Sequence, residues 1–183
     1  LYMQIGSFST DITSYNKVAN NIKQDTASSF ANLLTTQENK AQALISQFQD
    51  WKREYYQSGV YADRIAQVEN ASASFEKITS KAVVENGYDD PQAFLNSLST
   101  SELASLQAVH CLADPINPSS LSKEGALNLL YSPNNLQDID NNGFEMVGLA
   151  KTSVFPPPNA PDSIKKAWQE TTTNLSGSEK MLL

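Results

Sequence analysis

Apolar residues recur at three- and four-residue steps through the first third of the chain. The series runs Tyr15, Val18, Ala19, Ile22, Phe30, Leu33 and Leu34, then Ala41, Leu44, Ile45, Phe48, Trp51 and Tyr55. This period lays a stripe along one helical face and predicts long amphipathic helices. No proline precedes Pro91, so nothing covalent forces a break. The polar stretch TTQENK (35–40) either joins two helices or lies on the wet side of one. Gly59 is the first stop signal. A further series, Ile65, Val68, Phe75, Ile78 and Ala82, predicts the next helix, closed by the turn residues of ENGYDDP.

Shorter elements follow. Asp90 before Pro91 reads as a cap with proline at the first helical position. Ser99 and Glu102 have capping-box spacing ahead of Leu103, Leu106 and Val109. Ser122 is a candidate cap for LSKEGALNLL, with Leu127 and Leu130 facing inward. FEMVGLAKTSVF alone has strand character, and FPPPNAP reads as a stiff extended strut. A last helix is expected from Asn159, its cap, with Ile164, Ala167 and Trp168 as the buried face. The fold class is therefore mainly α: long amphipathic antiparallel helices, then shorter helices and an irregular loop region. A soft boundary near Tyr88 divides 1–88 from 89–183, the two together forming one compact unit.

Charge narrows the partners. The chain has 183 residues, 13 basic and 20 acidic, for a net charge of −7. It lacks the basic footprint that neutralises phosphates, so nucleic acid and anionic membrane are not expected partners. Cys111 is the only cysteine, which rules out an intrachain disulfide. No apolar run approaches the ~20 residues of a membrane span, and no signal peptide is visible, which suggests a cytoplasmic or non-classically exported protein. Met3 follows two other residues and the chain stops at SGSEKMLL, as in a trimmed form of a longer protein.

One stretch carries candidate chemistry. In DIDNNGFEMVG (138–148), Asp138, Asp140 and Asn142 alternate, and Gly143 follows at once. Calcium prefers six to eight oxygen ligands, which alternate residues of a short loop can supply. The pattern resembles the first half of an EF-hand or dockerin-type calcium loop over residues 138–149. The resemblance implies Asp138, Asp140 and Asn142 as side-chain ligands and Phe144 as a carbonyl ligand. The second half departs from it: Leu149 stands where a bidentate glutamate belongs, and Glu145 is the nearest substitute. Asp and Asn are also common in polar turns, and Asn-Gly favours them. Three carboxylates within eight residues, with no basic residue among them, favour a cation.

Other constellations point to structure. His110 and Cys111 are adjacent, hence about 100° apart on a helix, and read as a satisfied histidine and a buried cysteine. Too few nitrogen and sulfur ligands exist for zinc. WKREYY (51–56) interleaves aromatic and basic residues, but Trp51 and Tyr55 at a four-residue step read as core.

The reading is a non-enzymatic helical protein with one structural EF-hand-like calcium loop. One alternative is a helical interaction or assembly protein, pairing through its early helices. The Ser/Thr/Asn/Gln-rich first 30 residues resemble the unstructured starts of flagellar and other exported bacterial proteins. The other alternative is an enzyme with dispersed catalytic residues.

Overall fold

The computed structural model describes residues 9–152, 155–157 and 159–175. It is mainly helical: α1 (Ser9–Gln57), α2 (Ala62–Val84), α3 (Pro91–Asn96), α4 (Thr100–Val109), α5 (Lys123–Asn128) and α6 (Asp162–Thr172). A 3-10 turn at Pro118–Ser120 and an antiparallel pair, β1 (Glu145–Val147) and β2 (Ala150–Thr152), complete the described elements. No helix among the described residues is long and apolar enough to cross a membrane.

TTQENK lies within one continuous helix, α1. Residues 1–8 and the side chains of Tyr15, Val18, Ala19, Ile22 and Phe30 lie outside what is described. Gln57 ends α1 two residues before Gly59, whose φ of +80° suits glycine. The chain divides into two compact units, Leu1–Lys40 and Ala41–Leu183. In the first, Thr35 and Thr36 turn their hydroxyls back onto the carbonyls of Ala31 and Asn32, while Leu33 and Leu34 are exposed. Tyr88 lies inside the second, where its hydroxyl donates to the Leu130 carbonyl at 3.1 Å.

In the second unit α1 and α2 run antiparallel. Phe48 packs at a tilt against Phe75 and Gln49 bonds Glu76, whereas further along α1 Lys52 and Tyr56 both reach back to Glu69. The core gathers Phe48, Phe75, Ile78, Ala82, Leu95, Leu106, Val109, Leu129 and Leu130. The aromatic stripe is graded. Phe48 is fully buried, while Trp51 is half-buried and stacks between Phe48 and Tyr55 at ring separations of 5.7 and 5.0 Å. Trp51 was expected inside; it covers the edge of the core.

Local signals set the short helices. The Asp90 carboxylate accepts from Ala93 N, and Ser99 and Glu102 form both halves of a capping box. Helix α5 is unusual in being buried on every side from Glu124 to Leu130. Its apolar side faces the core; its polar side, Glu124 and Asn128, faces the loop that follows.

The last helix departs from the sequence expectation. It begins at Asp162, with Pro161 at the cap position, and Asn159 instead donates to the Asn141 carbonyl at 3.1 Å. Ile164 and Ala167 are exposed, and Trp168 packs edge-on to Phe155 at 4.7 Å. Pro161 supplies the helical entry, which leaves Asn159 available to the loop. Val154 and Pro158 lie outside the described residues.

Two outcomes follow for the core. Phe48→Ala should lower the unfolding free energy by about 3–5 kcal/mol, and Trp51→Ala by clearly less. Urea denaturation compares them; equal losses would contradict the graded stripe. His110 supplies the second. Burial pushes its imidazole down to about 4 from 6.5, while its Nε2–H donates to the Leu129 carbonyl at 3.2 Å. The unfolded chain therefore takes up the proton first, and stability falls as pH drops from about 6.5 towards 4, by roughly 3 kcal/mol at most. His110→Gln keeps a donor and does not titrate, so its loss over this window should be smaller; identical pH profiles would contradict the assignment.

Candidate metal centre

The site joins two stretches of chain. The first is the start of α5, where the Ser122 hydroxyl oxygen accepts from Gly125 N at 3.0 Å and fixes the first turn. This turn aims Glu124 at the following loop. The Glu124 carboxylate is buried, with 4% of the residue exposed. Its Oε2 accepts from Ile139 N and Asp140 N at 3.0 and 3.4 Å, and its Oε1 from Met146 N at 2.8 Å. A carboxylate removed from water needs such donors, because each unmet bond to a charged group is costly.

One turn further, Asn128 is fully buried and uses both ends of its amide. Its Nδ2 donates to the carbonyls of Gln137 and Met146 at 2.9 and 2.8 Å, and its Oδ1 accepts from Gln137 N at 2.8 Å. Between them lies Gly125. A Cβ there would stand 2.2 Å from the Gly148 carbonyl oxygen, and Gly148 N donates to the Gly125 carbonyl at 2.9 Å. Only glycine permits that approach. Asn128 and Glu124 therefore bind the loop at its entry, through Gln137, Ile139 and Asp140, and at its exit, through Met146, while Gly125 binds Gly148 just after β1.

The second stretch is the loop itself. Asp138 Oδ1 accepts from Asn142 N at 3.1 Å and Oδ2 from Gly143 N at 2.8 Å. Asp140 Oδ1 also accepts from Asn142 N at 3.1 Å. These bonds curl the backbone round the two carboxylates. Gly143, at φ +87°, makes the sharp turn that the sequence assigned to it.

A carboxylate oxygen from each of Glu124, Asp138 and Asp140 lies within 4.8 Å of the others. The group offers oxygen donors alone, the set that hard divalent cations take. Of the five residues singled out in the sequence, Asp138 and Asp140 belong to this cluster. Asn142 is occupied beside it: its Oδ1 accepts from Phe144 N at 2.9 Å, and its Nδ2 donates to Asp140 Oδ2 at 2.8 Å. The Phe144 ring lies under Lys151 Nζ, 3.6 Å from its centroid. Glu145 stands in β1 opposite Thr152. Burial, then repulsion from Asp138, holds its carboxyl above the usual range, with Glu124 adding to the same effect.

Glu124 is the residue that sequence reasoning missed. A signal was present: it is the one acid in EGALNLL, a run otherwise suited to a core, and a buried acid implies a dedicated partner. His110 and Cys111 do not converge. The imidazole turns to Leu129, while Cys111 is exposed rather than buried and its Sγ lies 3.6 Å from the Tyr55 hydroxyl. At φ +53°, Cys111 is where the backbone turns out of α4, and this carries its side chain away from the core. A cavity of about 220 Å³ beside Gly148 is walled mainly by apolar residues, among them Leu112, Pro115, Ile116 and Leu121.

Glu124→Gln keeps the volume but turns an NH2 group towards backbone donors, and should cost about 2 kcal/mol. Gly125→Ala should cost about 1–3 kcal/mol through the forced shift of Gly148. Thermal or urea unfolding measures both; a neutral Gly125→Ala would show that the contact yields freely.

No protein-family model, curated protein or solved structure matches the chain, so the site's own chemistry carries the functional reading.

Proposed function

We propose that Glu124, Asp138 and Asp140 hold one divalent cation, calcium in preference to magnesium, in an EF-hand-like loop, and that the ion is structural rather than catalytic. The observation that carries this reading is the convergence of three carboxylate oxygens within 4.8 Å in a loop of Asp-x-Asp-x-Asn-Gly spacing. At an effective dielectric near 20, carboxylates this close repel by roughly 3 kcal/mol per pair, which a divalent cation reverses. The bonds described above leave each of the three carboxylates at least one oxygen with a free lone pair to direct at the ion, Oε1 in the case of Glu124. The Phe144 carbonyl and water would complete six or more ligands, and the loose coordination of calcium tolerates such a mixed set better than the strict octahedron of magnesium. Glu124 replaces the missing carboxylate of the loop's second half from a different helix. In this role the ion ties α5 to the loop and the β1–β2 pair, and the protein is non-enzymatic.

Titration calorimetry on chelator-treated protein tests the proposal. One site with a dissociation constant in the range of about 10⁻⁵–10⁻³ M is expected, weaker for magnesium. Saturation should stabilise the fold, by about 2.7 kcal/mol at a hundred times the dissociation constant. The Asp138→Ala, Asp140→Ala double variant should abolish the heat. No heat at millimolar calcium, or undiminished heat from that variant, would sink the reading.

A further inference from the structure

The β1–β2 pair is closed on one edge and open on the other. Met146 stands at the centre of β1. Its N–H donates to Glu124 Oε1 and its carbonyl accepts from Asn128 Nδ2, both at 2.8 Å, so both groups point away from β2. Opposite residues of an antiparallel pair exchange both backbone bonds or neither. Lys151, opposite Met146, therefore turns its own N–H and carbonyl outward from the far edge. Among the described residues nothing bonds them. A lysine on an edge strand ordinarily discourages further pairing. Here its ammonium is drawn over the Phe144 ring, 3.6 Å from the centroid, which takes it to one face of the hairpin and leaves the edge clear.

The cavity beside Gly148 lies at the start of this edge. Ala150, the first residue of β2, belongs to its wall, and Leu112, Pro115, Ile116 and Leu121 supply most of the rest. Its volume of about 220 Å³ admits one bulky side chain. Side chains alternate across a strand, so Ala150 faces away from Lys151 and Phe144. A strand that pairs with Lys151 sets its next residue opposite Ala150, with the side chain on the Ala150 face, towards the cavity. Asp114 is the one ionisable residue in that wall, and among the described residues it forms no ion pair.

We infer that the β2 edge binds an extended peptide segment of a partner protein as a third strand, with one bulky apolar side chain in the cavity and a neighbouring lysine or arginine on Asp114. The open edge and the cavity are separate features that one strand register satisfies together. The bonds to Lys151 fix that register, and the buried side chain supplies most of the affinity. Charge selects the partner. Residues 41–183 carry 17 acidic and 10 basic side chains, so this surface attracts a basic segment and repels a second copy of itself.

Amide NMR of the full chain, with chelator present, tests this apart from the cation. The probe is a capped peptide of alternating threonines that carries one phenylalanine between lysines. Saturable shifts are expected at residues 112–117 and 148–152, with slowed exchange of the Lys151 amide. Replacing the phenylalanine with alanine should weaken binding at least about tenfold. Lys151→Pro, which removes the outward donor but no bond to β1, should weaken it to a similar degree, whereas Lys151→Ala, which also loses the Phe144 contact, should bind as the wild type does. An N-methyl group on the peptide residue facing Lys151 should act as the proline does, on unaltered protein. Asp114→Lys should lower affinity for the lysine peptide more than for an uncharged counterpart. Absence of shifts at millimolar peptide, or indifference to the phenylalanine or to the N-methyl group, would overturn the proposal. A Lys151 amide whose protection in the free chain rises with protein concentration would assign the edge to a second copy and overturn it equally.

Discussion

A buried carboxylate facing three backbone amides is the constraint around which the second half of this protein is organised. Glu124 cannot remain in the interior without donors, and Ile139, Asp140 and Met146 supply them. Asn128 repeats the arrangement one turn along the same helix with Gln137 and Met146. Helix α5 is only six residues long, yet every residue of it after Lys123 is buried. It works as a two-sided part: Leu129 and Leu130 anchor it in the core, and Glu124 and Asn128 form the surface on which the loop is laid. Gly125 brings the two backbones together between them.

The proposed cation site inherits its geometry from this contact. Asp138 and Asp140 are curled by their own neighbouring amides, but their placement beside a third carboxylate depends on where α5 holds Glu124. A turn with the same sequence, detached from α5, would keep its local bonds and lose the third oxygen. In the proposed site the third carboxylate thus comes through the fold rather than through the sequence that follows the loop. The same dependence reaches the exit of the loop, where Met146 bonds both Glu124 and Asn128 before β1 turns back into β2.

What could be read from the sequence follows the range of each interaction. The mainly α class, the long early helices, the caps at Asp90, Ser99 and Ser122, and the stop at Gly59 were all legible, because each rests on residues within four positions of one another. Gly143 was legible for the same reason. Glu124 was not, since its partners lie 15 to 22 residues ahead and nothing local marks the pairing. Asn159 was misread as a cap for a similar reason: its partner is Asn141, 18 residues back, and Pro161 starts the helix in its place. The buried face assigned to Ile164 and Ala167 rested on periodicity alone, which identifies an apolar side but not whether another element covers it. Trp51 shows the milder form of that error, as the edge of a stripe whose centre is Phe48.

Native-state hydrogen exchange on Glu124→Gln, beside the wild type and with chelator present in both, tests the organising role of this carboxylate most directly. The amides of Ile139, Asp140 and Met146 should lose protection together, with those of Asn142 and Gly143 following, while the α2 amides from Val68 to Ala82 keep theirs. Unchanged exchange at Ile139, Asp140 and Met146 would show that the loop holds its shape without Glu124, and would contradict the account.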